Sequence, residues 1–225
     1  MTAVQTIFFD LDGTLIDHFR AIHRCYNYIL REFSLPERDY ADLKKRIGPP
    51  LPVTVAELVG RPDPDLVERF CRRFRAHMQE TFLDGLEELP GASWILDQLH
   101  RSGRHLAIFS NKQIRTVEAI CGHLGFDKFL AGIVATEERV DCPRKPEAAF
   151  SRHALAQLKT TAELATLVGD SAVDHRAALA GNFAKTYTVA TGTHDRDELV
   201  AQGIPPDSIF ANLFALGTAV FHLKR

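Results

Sequence analysis

The sequence predicts an α/β protein with a Rossmann-like parallel sheet core interrupted by an all-helical insertion. Three observations lead there. Short apolar runs rich in β-formers alternate with segments of helical periodicity, as in a parallel sheet covered on both faces. One stretch, from about residue 18 to residue 86, breaks the rhythm and carries no convincing strand. The residues suited to chemistry fall just past the ends of the expected strands, where open α/β sheets place their ligands.

The first strand is Thr6–Phe9, and it delivers Asp10 and Asp12 into a turn at Gly13. Side chains of a strand alternate faces, so carboxylates at i and i+2 point the same way if the strand continues. At a strand end they can converge on one cation or one reacting phosphate. Acidic groups crowded against an apolar strand are costly unless a metal or hydrogen bonds compensate them.

The insertion follows. Ile22, Tyr26, Ile29, Leu30 and Phe33 mark one amphipathic helix, and Leu66, Phe70, Phe74 and Met78 another. Between them Gly48-Pro49-Pro50-Leu51-Pro52 interrupts the helical pattern and turns the chain. Leu89-Pro90-Gly91 marks the return to the main fold. The expected division is residues 1–17 with 87–225 as the core and residues 18–86 as the insertion.

Past the insertion, a helix through Ile95, Leu96 and Leu99 precedes a strand at His105–Ser110. A helix through Val117, Ile120, Cys121 and Leu124 leads to a strand at Gly132–Ala135. A third helix, through Phe150, Ala154 and Leu158, precedes a strand at Ala165–Gly169. Further strands are expected at Tyr187–Ala190 and, more weakly, at Ile209–Phe210.

Four polar clusters sit on this frame. They are Asp10 with Asp12; Ser110-Asn111-Lys112; Lys145-Pro146; and Gly169-Asp170-Ser171 with Asp174. Each alone has an ordinary explanation: a solvated turn, loop chemistry, or for Asp174 an acid favouring the start of a helix. Their consistent placement is what points to a site.

Composition narrows the function classes. The 225 residues are 45% hydrophobic and 25% charged, which is ordinary for a globular enzyme. Lys plus Arg (27) and Asp plus Glu (29) leave a formal charge of −2, so the composition makes no case for a nucleic-acid or membrane surface. The basic run Arg69 to Arg75 has helical spacing and reads as a solvated face. Cys25, Cys71, Cys121 and Cys142 lack the spacing of a zinc site. A strand beginning almost at the first residue leaves no room for a secretory signal, and no apolar run reaches spanning length. A reduced, cytoplasmic compartment is the expectation. Composition says nothing of oligomeric state.

Taken together, Asp10-Leu-Asp12-Gly13-Thr14, Ser110-Asn111, Lys145-Pro146 and Gly169-Asp170-Ser171 with Asp174 resemble, in order, the motifs of the haloacid dehalogenase superfamily. The insertion occupies the position of that family's helical cap. The Ser110-Asn111-Lys112 triplet and the run Arg46-Ile47-Gly48-Pro49-Pro50-Leu51 look like the phosphoglycolate phosphatase branch.

The resemblance implies a Mg²⁺-dependent phosphatase acting on a small phosphorylated metabolite, with 2-phosphoglycolate the leading candidate. Asp10 would be the nucleophile, which as a carboxylate needs no base to activate it. Asp12 would serve as general acid and then general base. Mg²⁺ would be held by Asp10, the Asp12 backbone carbonyl and Asp170. Ser110 and the Asn111 backbone N–H would hold the phosphoryl oxygens, with Lys145 offsetting their charge. Thr14 would orient Asp12, and Asp174 would stand behind the metal or Lys145. Arg46, with Lys45, would reach a substrate carboxylate from the cap or else be simply solvated.

Two positions depart from the family pattern. His18 follows Asp17 where a small hydroxyl residue is usual, as a substrate contact or a hinge residue, and Ala148 replaces a frequent proline. The same residues also admit a sugar-phosphate mutase, a pyrophosphatase or a nucleotidase. A silent binding protein should have lost one of Asp10, Asp12, Lys145 or Asp170, and none is missing.

Overall fold

Thr6–Phe9 (β1) is buried along its whole length, because neighbours on both edges and layers on both faces enclose it. The computed structural model describes residues 5–46, 51–60, 63–137 and 142–224. After β1 come α1 (His18–Glu32), α2 (Tyr40–Arg46), α3 (Leu51–Val59) and α4 (Pro64–Thr81). Next are α5 (Ala92–Arg101), β2 (His105–Gln113), α6 (Ile114–Leu124), β3 (Gly132–Thr136), α7 (Ala148–Gln157) and β4 (Ala165–Gly169). The chain continues through α8 (Ala172–Ala180), β5 (Lys185–Val189), α9 (Arg196–Ala201), β6 (Ile209–Phe210) and α10 (Leu213–Phe221). The chain divides into two compact units, Met1–Ile16 with Glu88–Arg225, and Asp17–Glu87.

In the first unit six strands form one sheet in the order β3-β2-β1-β4-β5-β6, all parallel. β1 pairs with β2 through Thr6↔His105 and with β4 through Thr6↔Ala165. Strand order therefore reverses between β1 and β4, the crevice where doubly wound sheets bind ligands. One core cluster centres on aromatic rings. Phe8 meets Phe109 edge-on at 5.9 Å and lies 5.3 Å from Phe183, and Phe109 stacks on Phe150 at 4.8 Å. Each such ring contributes about 2 kcal/mol by burial, which fixes the strand ends that carry the polar clusters.

The second unit is helical and has its own core. Tyr26, Ile29, Leu30, Val55, Leu58, Phe70 and Phe74 form its buried cluster. Asp63 caps α4, accepting from the N–H groups of Asp65 (3.1 Å) and Leu66 (3.2 Å), with Pro64 in the first turn.

Several expectations shift. β5 starts two residues earlier than its apolar run, because pairing with β4 (Thr166↔Lys185) draws Lys185 and Thr186 into the ladder. Leu51 and Pro52, expected in the interruption, open α3, where a first-turn proline lacks only an N–H that would have been unpaired. The remainder of that expected turn, residues 47–50, lies outside the described residues. No helix among the described residues is long and apolar enough to cross a membrane.

Candidate active site

Asp10 follows β1 and Asp170 follows β4, so neighbouring strands set the two acids side by side at the switch point. The Asp10 N–H donates to the Val168 carbonyl at 2.8 Å, which extends the ladder one step and orients the residue. Gly13 turns the chain with φ +80°, and a Cβ there would collide with the Asp170 carboxylate. Gly192, beyond β5, flanks the same carboxylate, and a Cβ there would overlap Oδ2. The Thr191 hydroxyl, donating to the Gly13 carbonyl at 2.6 Å, ties the two loops together. Only glycine leaves room for the Asp170 carboxylate on both sides.

β2 delivers Ser110, Asn111 and Lys112 through an irregularity. Phe109 pairs with Val134, but the next partners are Gln113 and Thr136, so the intervening residues leave the ladder. Their backbone is pinned nonetheless. The Lys112 N–H donates to Ser110 Oγ at 3.2 Å, and the Thr136 hydroxyl is 3.1 Å from the carbonyls of both Asn111 and Lys112.

Asn111 reaches across to Lys145. Its Nδ2 donates to the Lys145 carbonyl at 3.1 Å, and its Oδ1 accepts from the Lys145 N–H at 2.7 Å. Lys145, held this way, donates from Nζ to Asp10 Oδ1 at 2.6 Å and to Asp174 Oδ1 at 2.7 Å. Asp174 Oδ2 meanwhile accepts from the Ser171 hydroxyl (2.5 Å) and N–H (3.2 Å) at the start of α8. Asp174 is thus both a first-turn helix acid and a partner of Lys145.

Three buried carboxylates, Asp10, Asp170 and Asp174, bring oxygens within 4.8 Å of one another. One ammonium, Lys145, touches two of them. Burial is the main reason the Asp10 carboxyl is raised to about 7; Lys145 opposes the rise, and Asp174 and Asp12 add to it. Burial, then Asp174 and Asp10, push Asp170 well above the usual carboxylate range. Burial disfavours charge on Lys145, but Asp10 and Asp174 outweigh it and hold the ammonium above its ordinary value. A single ammonium among three close carboxylates leaves negative charge that a hard divalent cation would neutralise, and an all-oxygen donor set suits Mg²⁺. The residues fit such an ion.

Asp10, Asp12, Ser110, Asn111, Lys145 and Asp174 line one pocket of about 410 Å³ together with Lys112 and Ser171. Thr14 departs from expectation. Its hydroxyl is buried without a hydrogen-bond partner among the described residues, so it does not bond to Asp12. Arg46 belongs to the helical unit, where it is bonded to Asp42 at 2.9 and 3.0 Å. His18 opens α1 in that unit. Sequence reasoning gave no role to Lys112, whose Nζ lies 3.0 Å from Asp12 Oδ2, nor to Ser171, Thr191 and Gly192. Lys112 belongs to the Ser110-Asn111-Lys112 triplet that the sequence singles out, but without a role of its own; Gly192 is legible only once β5 is laid beside β4.

Buried acids at the switch point of a parallel α/β sheet, with a lysine salt-bridged among them, define a hydrolase-type site of known pattern. The sequence pattern of haloacid dehalogenase-like hydrolases matches residues 7–186. The chain belongs to that family. Pyrophosphatase PpaX of Oceanobacillus iheyensis is 27% identical over 97% of this chain and 97% of its own. A 5'-nucleotidase of Pseudomonas aeruginosa is 30% identical over 93% and 92%, and a phosphoglycolate phosphatase of Cereibacter sphaeroides 31% identical over 75% and 77%. Among solved structures, a haloacid dehalogenase-like family hydrolase from Streptococcus pneumoniae has a TM-score of 0.77 at 24% identity. It covers 95% of this chain and 97% of that one, a likeness of fold. The protein is an enzyme, a hydrolase of this family.

Proposed function

We propose that the chain is a Mg²⁺-dependent phosphatase that cleaves a small phosphorylated metabolite through an aspartyl-phosphate on Asp10. The observation that carries this reading is the contact of Lys145 Nζ with Asp10 at 2.6 Å, inside a pocket that also gathers Asp12, Ser110 and Asn111. Four sequence-distant clusters meeting at one switch point is what such a mechanism requires.

In the first step an Asp10 oxygen forms a bond to phosphorus while the bond from phosphorus to the leaving oxygen breaks, and Asp12 gives that oxygen its proton. In the second step water attacks phosphorus, its proton passes to Asp12, and phosphate departs from Asp10. Ser110 and the Asn111 N–H hold the phosphoryl oxygens, and Lys145 offsets the charge gathering there. Lys145 opposes the burial that raises Asp10 and so favours its ionised, nucleophilic form. Mg²⁺ would be held by Asp10, Asp170 and the Asp12 backbone carbonyl, with Asp174 behind Lys145, and would supply charge neutralisation at the phosphoryl group. Residues Asp17–Glu87 are the proposed cap, and this unit carries Arg46 and His18.

2-Phosphoglycolate is the leading substrate, and pyrophosphate and nucleoside monophosphates stand beside it because relatives carry those names. The test is a panel of phosphate esters and pyrophosphate assayed with Mg²⁺ and with EDTA, on wild type and Asp10→Asn. Mg²⁺-dependent phosphate release that vanishes in Asp10→Asn is the expected result. Turnover by Asp10→Asn near the wild-type rate would sink the nucleophile assignment, and isomerisation of a sugar phosphate without release would favour a mutase.

A further inference from the structure

We infer that Lys112 is a specificity-determining residue that selects substrates whose leaving group carries negative charge. The inference rests on the phosphatase reading above and deepens it.

The geometry divides the pocket's two lysines between the two ends of the scissile bond. Lys145 is committed on the nucleophile side, donating to Asp10 at 2.6 Å and to Asp174 at 2.7 Å. Lys112 stands at the other acid, with Nζ 3.0 Å from Asp12 Oδ2. A general acid must come within hydrogen-bond reach of the leaving oxygen it protonates. Groups attached to that oxygen therefore lie beside the Lys112 ammonium.

Lys112 is also held in place. Its N–H donates to Ser110 Oγ, and its carbonyl accepts from the Thr136 hydroxyl. Its side chain is 16% exposed, so its charge acts with little screening. A sheltered ammonium on an anchored backbone, already paired with Asp12, is poised to meet an anion.

The pocket needs such a cation. Asp10, Asp12 and Asp174 all line it, and an incoming carboxylate or second phosphate would meet repulsion from each. A neutral leaving alcohol meets no such repulsion and gains little from Lys112. The leaving groups this arrangement favours are the phosphate released from pyrophosphate and the glycolate released from 2-phosphoglycolate. The bond changes are those of the phosphatase reaction: the bridging oxygen takes its proton from Asp12, while Lys112 stabilises the charge next to it and neither gains nor loses a proton.

The experiment compares 2-phosphoglycolate and pyrophosphate with 2-hydroxyethyl phosphate, which replaces the carboxylate by a neutral group of similar length. Wild type should favour the anionic substrates in kcat/KM. Lys112→Gln should lower the ratio of 2-phosphoglycolate to 2-hydroxyethyl phosphate roughly 10- to 100-fold, the range for losing one charge-assisted hydrogen bond. Lys112→Arg should keep most of the ratio, and thermal unfolding of each variant separates this from loss of fold. If Lys112→Gln slows all three substrates in parallel, or none, Lys112 acts through Asp12 or not at all, and the assignment is overturned while the phosphatase reading stands. If wild type turns over no phosphate compound, the phosphatase reading itself falls, and Lys112's role with it.

Discussion

The Asn111 carboxamide grips the Lys145 backbone from both sides, donating to its carbonyl at 3.1 Å and accepting from its N–H at 2.7 Å. This pair joins the end of β2 to the segment before α7, and it sets where the Lys145 ammonium lands. Asn111→Ala removes both bonds and leaves a backbone N–H and carbonyl in a partly buried place. A loss of about 1–3 kcal/mol in stability follows, with a fall in kcat larger than any rise in KM, because Lys145 is misplaced rather than lost. Chemical denaturation and steady-state kinetics check both. A variant with wild-type kcat would show that Lys145 is positioned by its carboxylate partners alone.

Much of this site was legible in the sequence, and the part that was not has a common cause. Asp10 and Asp170 announce themselves because an ionisable residue at the end of an apolar strand is expensive without a purpose, and Lys145 is legible only through its place in the ordered set of motifs. The Asn111–Lys145 clasp does not announce itself, since it is a contact between loops far apart in the chain, and a Ser-Asn pair is ordinary turn chemistry. Thr14 shows the reverse. Its position suggested a bond to Asp12, but the turn closed by Gly13 N–H to the Ile16 carbonyl (2.9 Å) leaves its hydroxyl buried without a partner among the described residues. In the fold, α8 is legible only as a helix start at Asp174, because Ala172–Ala180 is rich in alanine and its apolar period is faint. β5 was displaced for a related reason: hydrogen bonding to β4, not side-chain apolarity, decides where it starts.

The metal-free protein should become more stable as the medium turns mildly acidic. Burial raises the Asp10 carboxyl to about 7 in the folded state, against about 3.9 in an unfolded chain. Between those values the folded state holds a proton that the unfolded state has released. Stability therefore rises as pH falls from about 7 towards 4. The raised Asp170 carboxyl acts in the same direction. In EDTA, Tm should be higher at pH 5.5 than at pH 8. Asp10→Asn should shrink that difference, and Mg²⁺ should raise Tm most at pH 8. A metal-free Tm that falls between pH 8 and pH 5.5 would contradict the electrostatic account of the cluster.

Ser171 links the start of α8 to Lys145 through Asp174. Its hydroxyl donates to Asp174 Oδ2 at 2.5 Å while the other oxygen of Asp174 holds Lys145. Ser171→Ala forfeits a capping interaction worth about 1 kcal/mol and frees Asp174 to turn away from Lys145. The expected result is a modest drop in Tm together with a fall in kcat of about tenfold, the size for one lost charge-assisted bond. Ser171→Thr, which keeps the hydroxyl, should restore most of the rate. Should Ser171→Ala keep the wild-type kcat, the bond from Ser171 to Asp174 does not position Lys145.

Gly192 tests whether the Asp170 carboxylate must lie where it does. A methyl group at this position would overlap Asp170 Oδ2, and Gly13 closes the opposite side at φ +80°, so the carboxylate cannot simply step aside. Either the loop after β5 yields, breaking the 2.6 Å bond from Thr191 to the Gly13 carbonyl, or Asp170 leaves the acidic cluster. Overpacking of this kind costs about 1–3 kcal/mol. The two routes have different signatures. If the loop yields, Gly192→Ala loses stability while Mg²⁺ still raises its Tm as in wild type. If Asp170 is displaced, the Mg²⁺-induced rise in Tm disappears and calorimetry shows weakened Mg²⁺ binding. The second outcome is expected, because a side-chain rotation of Asp170 displaces less than the backbone of two tied loops would. Thr191→Val, which drops the hydroxyl but adds nothing near Asp170, should show the first.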